Sequence, residues 1–356
     1  MNGALDTIVI GGGQAGLASG YHLQKKGLRF LILEASDEVG GSWPLYYDSL
    51  KLFSPARFSS LPDLKFPGDP NGYPRRDEVI QYLKYYQEKF QLPVRFNQRV
   101  TLVEKDGDGF MVRTMAGDTF RSKTIINATG SFHTPYTPAI PGQESFQGRI
   151  LHSSEYRNSE PFINQRVLVV GRGNSAVQIG VELVEVSHTS LAVLRPVQFM
   201  KSMLLGQDLH FWLKTIGFDS FPFWRFVKIA PSSGSVIDSD GYKEKVLAGK
   251  PDQQPMFTSF YDEGVIWANG TKEPVDTVIF ATGYRPRLPY LQAIGALNTE
   301  GRPVHQAGIS LVPGLYYVGL EGQRSFASAT LRGVGRDAQF VVKKLLHHLK
   351  IRSVHS

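Results

Sequence analysis

Two stretches of the chain carry the same succession of apolar and small residues. The first is "TIVIGGGQAGLASG", Thr7 to Gly20, and the second is "LVVGRGNSAVQIG", Leu168 to Gly180. Each opens on a short, mainly apolar run that reads as a strand. Each then turns on glycine and enters a helical pattern. Around the first, the pattern predicts a strand over Thr7–Ile10, a turn over Gly11–Gly16 and a helix to about Lys26. A second strand, "RFLILE", ends at Glu34, which makes a βαβ start. A Pro/Ser-rich stretch, "SPARFSSLPDLKFPGDPNGYP", reads as a long ordered loop. It leads into a helix from about Arg76 to Phe90, where Val79, Tyr82, Leu83, Tyr86 and Phe90 recur at helical spacing and mark a buried face. Short strand signals from Pro93 to about Arg121 predict a β-meander, and a further strand, "TIINATG", closes this part at Gly130.

The second half echoes the first. Its glycine-turn unit begins near Arg166, and a strand "TSLAVL" runs to Leu194. A strand "TVIFATGY" ends at Tyr284, and "LYYVGL" and a helix after about Ala327 finish the chain. The fold predicted is α/β, with two Rossmann-like dinucleotide-binding domains. One is discontinuous, residues 1–160 and 281–356, and the other, 161–280, is inserted into it.

Composition narrows the chemistry. A length of 356 residues with 36 glycines suits a soluble α/β protein of two domains. No apolar run reaches the roughly 18 residues of a membrane span. The N-terminus enters a strand without a signal-peptide pattern, so a cytoplasmic location is expected. There is no cysteine, which excludes disulfides, thiolate metal sites and a thiol nucleophile; no metal is expected. The net charge of +7 is spread without a basic block. That argues against nucleic acid as a partner and is compatible with phosphate-bearing cofactors.

In the first turn Gly11, Gly13 and Gly16 form G-x-G-x-x-G, with Gln14 and Ala15 at the helix start. The spacing allows a tight turn, close approach of a pyrophosphate, and packing of helix on strand. Glu34 ends the next strand, where a carboxylate can accept from ribose hydroxyls. "GGSW" follows, with Gly41, Ser42 and Trp43 placed beside the cofactor. Together with the strand ends Ala128-Thr129-Gly130 and Ala281-Thr282-Gly283-Tyr284, this is the pattern of two-dinucleotide flavoproteins and points to FAD in the first site. Val100, within the predicted meander, joins the candidate contacts. In the second turn Gly171, Gly173 and Ala176 give G-x-G-x-x-A. Asn174 and Ser175 can add donors at the helix start, and Gln178 follows one turn on. The next strand leads to Arg195, where the first unit has its acid. A guanidinium forks onto a 2′-phosphate and so favours NADPH over NADH; a solvated arginine at a strand end is the other reading.

The link between the units, "FQGRILHSSEY", matches F-x-G-x-x-x-H-x-x-x-Y through Phe146, Gly148, His152 and Tyr156. With "GGGQAG", "GGSW", "INATG", "GRGNSA" and "VIFATGY" in order, the chain resembles the flavin-containing monooxygenases, the class B flavoprotein monooxygenases. It is most similar to their short bacterial members and also similar to the plant enzymes that oxidise indole-pyruvate. The resemblance implies that NADPH reduces FAD and that bound NADP shields a C4a-(hydro)peroxyflavin, which oxygenates a small soft nucleophile by S- or N-oxidation or a Baeyer–Villiger reaction. It also implies that NADH use accompanies NADPH use in short members. Where many members carry an asparagine near the flavin N5, this chain has Ser54, a serine that can still donate a hydrogen bond. His152 is read as a hinge between domains or as a proton donor. By the resemblance, the loop before the last helix reaches the isoalloxazine ring through Gln323, Ser328 and Thr330.

The aromatic stretch "DLHFWLKTIGFDSFPFWRF", Asp208 to Phe226, leaves a substrate tunnel, a homodimer contact, a membrane surface and ordinary core all open. Two other functions stand beside the monooxygenase: an NADPH oxidase or electron-transfer reductase, and a regulatory NADPH-sensing flavoprotein acting on a partner such as a transporter.

Overall fold

The structure, a computed structural model, describes residues 5–132, 134–226 and 234–355. β1 (Leu5–Ile10) feeds α1 (Gln14–Lys25), which returns the chain to β2 (Phe30–Leu33), parallel to β1. α2 (Arg76–Lys89) follows, and β3 (Val94–Arg95) pairs with β2 at the sheet edge. β4 (Val100–Asp106), β5 (Gly109–Thr114) and β6 (Thr119–Asn127) form an antiparallel meander. The predicted end of the meander and the predicted "TIINATG" strand are one element, the nine-residue β6. Its first half pairs with β5 and its second half lies parallel to β1. The exposed–buried alternation of residues 119–123 gives way to the buried run Thr124–Asn127, as expected where one strand passes from a one-sided to a two-sided sheet.

β7 (Arg149–His152), β8 (Arg166–Val170), α3 (Asn174–Leu183) and β9 (His188–Val193) begin the second unit. The strands Asp252–Pro255, β9, β8, Thr277–Phe280 and β7 lie in that order in a five-stranded, wholly parallel sheet. β7 precedes the boundary expected at 160, yet its hydrogen bonds to Thr277–Phe280 place it in this second sheet. Afterwards the chain rejoins the first sheet. Leu315–Tyr317 pairs with β6, and the helix Leu331–His355 closes the molecule. The second sheet is thus an insertion in the first unit.

Each sheet is covered on both faces. Leu17 of α1, Tyr86 of α2 and Val341 of the last helix share one core; the meander and the turn Pro289–Ile294 pack on the opposite face of the first sheet. α3 covers one face of the second sheet, and a small antiparallel sheet carrying Phe260 and Val265 covers the other.

The link segment works as a brace. Phe146 packs on Phe260, ring centroids 5.1 Å apart. A Cβ on Gly148 would lie 2.2 Å from the Phe146 ring and 2.7 Å from the Asp276 carbonyl oxygen, so only glycine fits beneath the ring. His152 ends β7. Its Nε2 is 3.0 Å from the Gly283 carbonyl oxygen, which can only accept, so Nε2 carries the proton. Nδ1 accepts from Ser154 N at 3.1 Å. Burial lowers the proton affinity of this imidazole, and the Gly283 carbonyl offsets part of that effect. Tyr156 is buried between Tyr47 and Phe162. Both ring nitrogens of His152 are thus engaged, by the Gly283 carbonyl and by Ser154. Overpacking a full core costs about 1–3 kcal/mol. We therefore expect Gly148→Ala to lower the urea midpoint by a corresponding amount while FAD content stays normal. An unchanged midpoint would show that Phe146 moves aside freely.

Candidate functional site

Strand register sets the two glycine turns at equivalent places. Ile10 pairs with Leu33 and with Asn127, so Gly11, Glu34 and Ala128 leave the first sheet side by side. Val170 pairs with Ala192 and with Phe280, so Gly171, Val193 and Ala281 leave the second together. Both are carboxyl edges of parallel strands, where open α/β sheets bind ligands. Gly11 has φ +105° and Gly171 has φ +143°. A Cβ on either would press on the carbonyl oxygen of Ala128 or Ala281, at 2.9 and 2.5 Å. A Cβ on Gly16 would come within 1.8 Å of the Gly11 carbonyl oxygen. These three glycines serve close backbone packing. The middle glycines differ. A Cβ on Gly13 meets nothing nearer than Gly41 Cα at 3.4 Å, and one on Gly173 meets nothing within 4 Å. The free space beside them is a cavity.

That cavity, about 1030 Å³, lies between the two sheets. Gly11, Gly13, Gln14, Ala15, Glu34, Gly41, Ser42, Trp43, Val100, Ala128, Thr129 and Gly130 line its first wall, and Ser54 stands on the same side. Gly173, Asn174, Ser175, Gln178, Ala281, Gly283 and Tyr284 line the opposing wall. Ser328 and Thr330 reach it from the loop before the last helix. Trp43 Nε1 donates to Gln14 Oε1 at 3.1 Å, and Gln14 Nε2 donates to the Ala329 carbonyl at 2.5 Å, tying three distant segments around the first turn.

The donors present fit two dinucleotides. α1 and α3 begin at Gly13 and Gly173 with no side-chain cap and no acid in the first turn. α2 is the contrast: Glu78 Oε2 accepts from Arg75 N at 2.7 Å, and Asp77 adds charge. An uncapped helix start offers unpaired N–H groups and positive potential, which suit a pyrophosphate. Glu34 is buried; its Oε2 accepts from Gly12 N at 2.5 Å and its Oε1 from Ser36 N at 2.9 Å. Each oxygen retains a lone pair for a ribose hydroxyl.

Other expected residues lie elsewhere. Gly16 and Gly171 sit beneath the turns. Thr282 donates its hydroxyl to the Tyr136 carbonyl. Gln323 was expected at the isoalloxazine ring, but its amide is buried behind the cavity wall. Nε2 donates to the Tyr317 carbonyl at 2.8 Å and Oε1 accepts from Leu320 N at 3.3 Å, which makes it a staple at a strand end. Arg195 is exposed past the end of β9, with no partner among the described residues. Ser54 lines the cavity, and its hydroxyl lies 2.9 Å from Ser59 Oγ, which also sits 3.1 and 3.0 Å from the Ser54 and Pro55 carbonyls.

The cavity also has walls that no motif announced. Tyr47, buried, donates to Gln178 Oε1 at 2.9 Å and so ties the two units. Tyr290 donates to Asn127 Oδ1 at 2.7 Å. Phe53, Phe326 and Arg332 complete the lining. The aromatic stretch at Asp208–Phe226 packs Phe218 on Phe326, centroids 5.3 Å apart, while Phe221 and Phe226 remain exposed. Among the described residues no helix is long and apolar enough to cross a membrane.

A family model described as pyridine nucleotide-disulphide oxidoreductase matches residues 8–216. The chain is 36% identical over 357 residues to an uncharacterized oxidoreductase, CzcO-like, from Geobacillus kaustophilus, covering 98% of this chain and 100% of that one. It is 31% identical to the probable indole-3-pyruvate monooxygenase YUCCA1 of Arabidopsis thaliana, covering 93% and 87%. Among solved structures, the flavin-containing monooxygenase from Stenotrophomonas maltophilia superposes with a TM-score of 0.85 at 33% identity, covering 97% and 99%.

Proposed function

Because the chain belongs to the pyridine nucleotide-disulphide oxidoreductase family and stands with its flavin monooxygenases, we propose that it binds FAD at the first glycine turn and NADPH at the second, and oxygenates a small soft nucleophile with O2. The observation that carries this reading is the opening of two uncapped glycine turns onto one cavity. FAD, when bound, supplies hydride acceptance and the activation of O2. The chain's own part is to hold and to enclose. Glu34 offers acceptors to a ribose, α1 and α3 offer N–H groups to the phosphates, and the aromatic walls exclude water. In this reading the FAD unit comprises the strands of the first sheet, and the NADPH unit those of the second with β7 included.

The chain has no cysteine, so a dithiol relay for disulfide reduction is not available to it. The Ser54 hydroxyl is shared with Ser59 at 2.9 Å, which favours, as a second reading, an NADPH oxidase that releases peroxide. Both are tested together on the FAD-loaded protein. NADPH loss, product and peroxide are measured with sulfides, amines, ketones and 2-oxo acids, the last because plant relatives carry an indole-3-pyruvate name. Product formed in step with NADPH for one class is the expected result. Peroxide equal to NADPH for every class establishes the oxidase, and failure of NADPH to reduce the flavin leaves the sensor.

Coenzyme choice rests on Arg195. A hydrogen bond to a charged group contributes about 1.5–3 kcal/mol, and the exposure of this side chain favours the low end. Arg195→Ala should therefore lower kcat/KM for NADPH about tenfold and leave that for NADH unchanged. An unmoved ratio of the two would make Arg195 an ordinary surface residue.

A further inference from the structure

Away from the cavity, the strands Met203–Leu204 and Gln207–Asp208 form a tight hairpin in which Leu204 pairs with Gln207. The two residues of its turn, Leu205 and Gly206, have φ +50° and +73°. Hairpin turns that are left-handed at both central positions prefer Asn-Gly or Gly-Gly, because a large side chain disfavours that backbone. This chain places a leucine there and leaves it 83% exposed. Leu205 is thus unfavourable to the free protein in two ways, through its backbone and through apolar surface kept in water. Packing within the molecule does not explain it, since so exposed a side chain touches little of the rest.

The tip continues into a larger apolar surface. Met203 and Leu204 beside it are exposed. The Leu204 carbonyl accepts from Trp212 Nε1 at 2.8 Å, which seats the hairpin on the short helix Leu209–Thr215. Ile216, four residues after Trp212 and on the same side, is 68% exposed. Charge along this segment shows one sign to solvent. Between residues 195 and 226 the two acids, Asp208 and Asp219, are buried, and the four bases, Arg195, Lys201, Lys214 and Arg225, are exposed. The Lys214 ammonium and the Arg57 guanidinium lie 5.8 and 4.9 Å from the same Phe58 ring, so two cations gather beside the helix. A convex apolar tip flanked by cations matches a bilayer with anionic headgroups: leucine enters the acyl boundary and the cations stay at the phosphates. A second copy of the chain matches less well, because a two-fold contact would set the same positive patch against itself.

We propose that hairpin 203–208 and the helix after it dock the protein on an anionic phospholipid bilayer. Leu205 is the inserted residue, and Lys201, Lys214 and Arg57 meet the headgroups. The proposal is independent of what the cavity oxidises.

The test is flotation of the FAD-loaded protein with two kinds of vesicle, pure phosphatidylcholine and an equimolar mixture with phosphatidylglycerol. Wild type should float with the mixed vesicles, hardly at all with the neutral ones, and less as salt is raised. Leu205→Asn, which suits the turn, should weaken binding to the mixed vesicles about tenfold or more, with FAD content unchanged and a thermal midpoint no lower than wild type. Lys214→Glu should weaken it about tenfold through charge alone, and it decides the matter if Leu205→Asn does not fold. Absence of wild-type flotation overturns the proposal, and so does equal affinity for the two kinds of vesicle. Undiminished binding by Leu205→Asn or by Lys214→Glu overturns it as well. A lower midpoint for Leu205→Asn makes the leucine a packing residue instead. A wild-type dimer that Leu205→Asn dissociates in analytical ultracentrifugation, without vesicle binding, assigns the surface to a second copy.

Discussion

A Gly13→Val variant is expected to purify folded and colourless. Gly13 has an ordinary backbone, φ −77°, so a branched residue there meets no backbone strain. Its nearest foreign neighbour is Gly41 Cα, 3.4 Å from an added Cβ, an ordinary contact. The protein therefore tolerates a side chain at this position, but the side chain projects into the space where the phosphates approach the N–H groups of α1. Hydrogen bonds to a charged group contribute about 1.5–3 kcal/mol each, so loss of two weakens FAD by at least about a hundredfold. The ratio of visible to ultraviolet absorbance gives flavin content, and circular dichroism confirms folding. A folded variant with full FAD would place the flavin elsewhere. Gly16→Ala is the control that fails for another reason, since its Cβ strikes the Gly11 carbonyl and disturbs the turn itself.

Gly173→Val should give the complementary result, a yellow protein that NADPH barely reduces. Gly173 has φ −89°, and nothing lies within 4 Å of an added Cβ. Folding and FAD are spared because the first turn is untouched. The same arithmetic of two lost charge-assisted hydrogen bonds predicts a fall in the second-order rate of flavin reduction by about a hundredfold. Dithionite, which needs no site, should reduce the variant flavin as fast as wild type. Normal NADPH reduction would remove the second turn from coenzyme binding. Together the two variants ask why one chain carries the same turn twice.

Much of this was legible in the sequence because glycine spacing is a direct record of backbone geometry. Gly11, Gly16 and Gly171 are where they are because a Cβ would strike a carbonyl oxygen or the turn itself, and a regular motif announces such places. Glu34 and the Ala-Thr-Gly strand ends were legible for a related reason: parallel register brings them beside the turn. Gln323 was misplaced because a buried amide that satisfies its own backbone looks, in sequence, like one that awaits a ligand. The contact of Ser54 with Ser59, five positions on, was not legible because it depends on how the loop folds one hydroxyl against the other. β7 was assigned across the wrong boundary because four residues, Arg149–His152, carry no sign of the strand they will pair with. Arg332 left no signal at all. It falls in a glycine-rich helix start, and its partner Asp219 is 113 positions away.

The bare starts of α1 and α3 have a consequence for the life of the polypeptide. A helix that finds no cap in its own sequence takes one from a ligand that binds there, and such a ligand adds to stability as the logarithm of its concentration relative to Kd, roughly 4 kcal/mol at a thousand times Kd. Chain without flavin should show fast amide exchange at residues 14–16 and 174–176, and early cleavage by proteases that sample local opening. With FAD and NADPH at the two turns as proposed, the coenzymes act as late folding partners, and the amount of the protein that survives should rise with the supply of flavin.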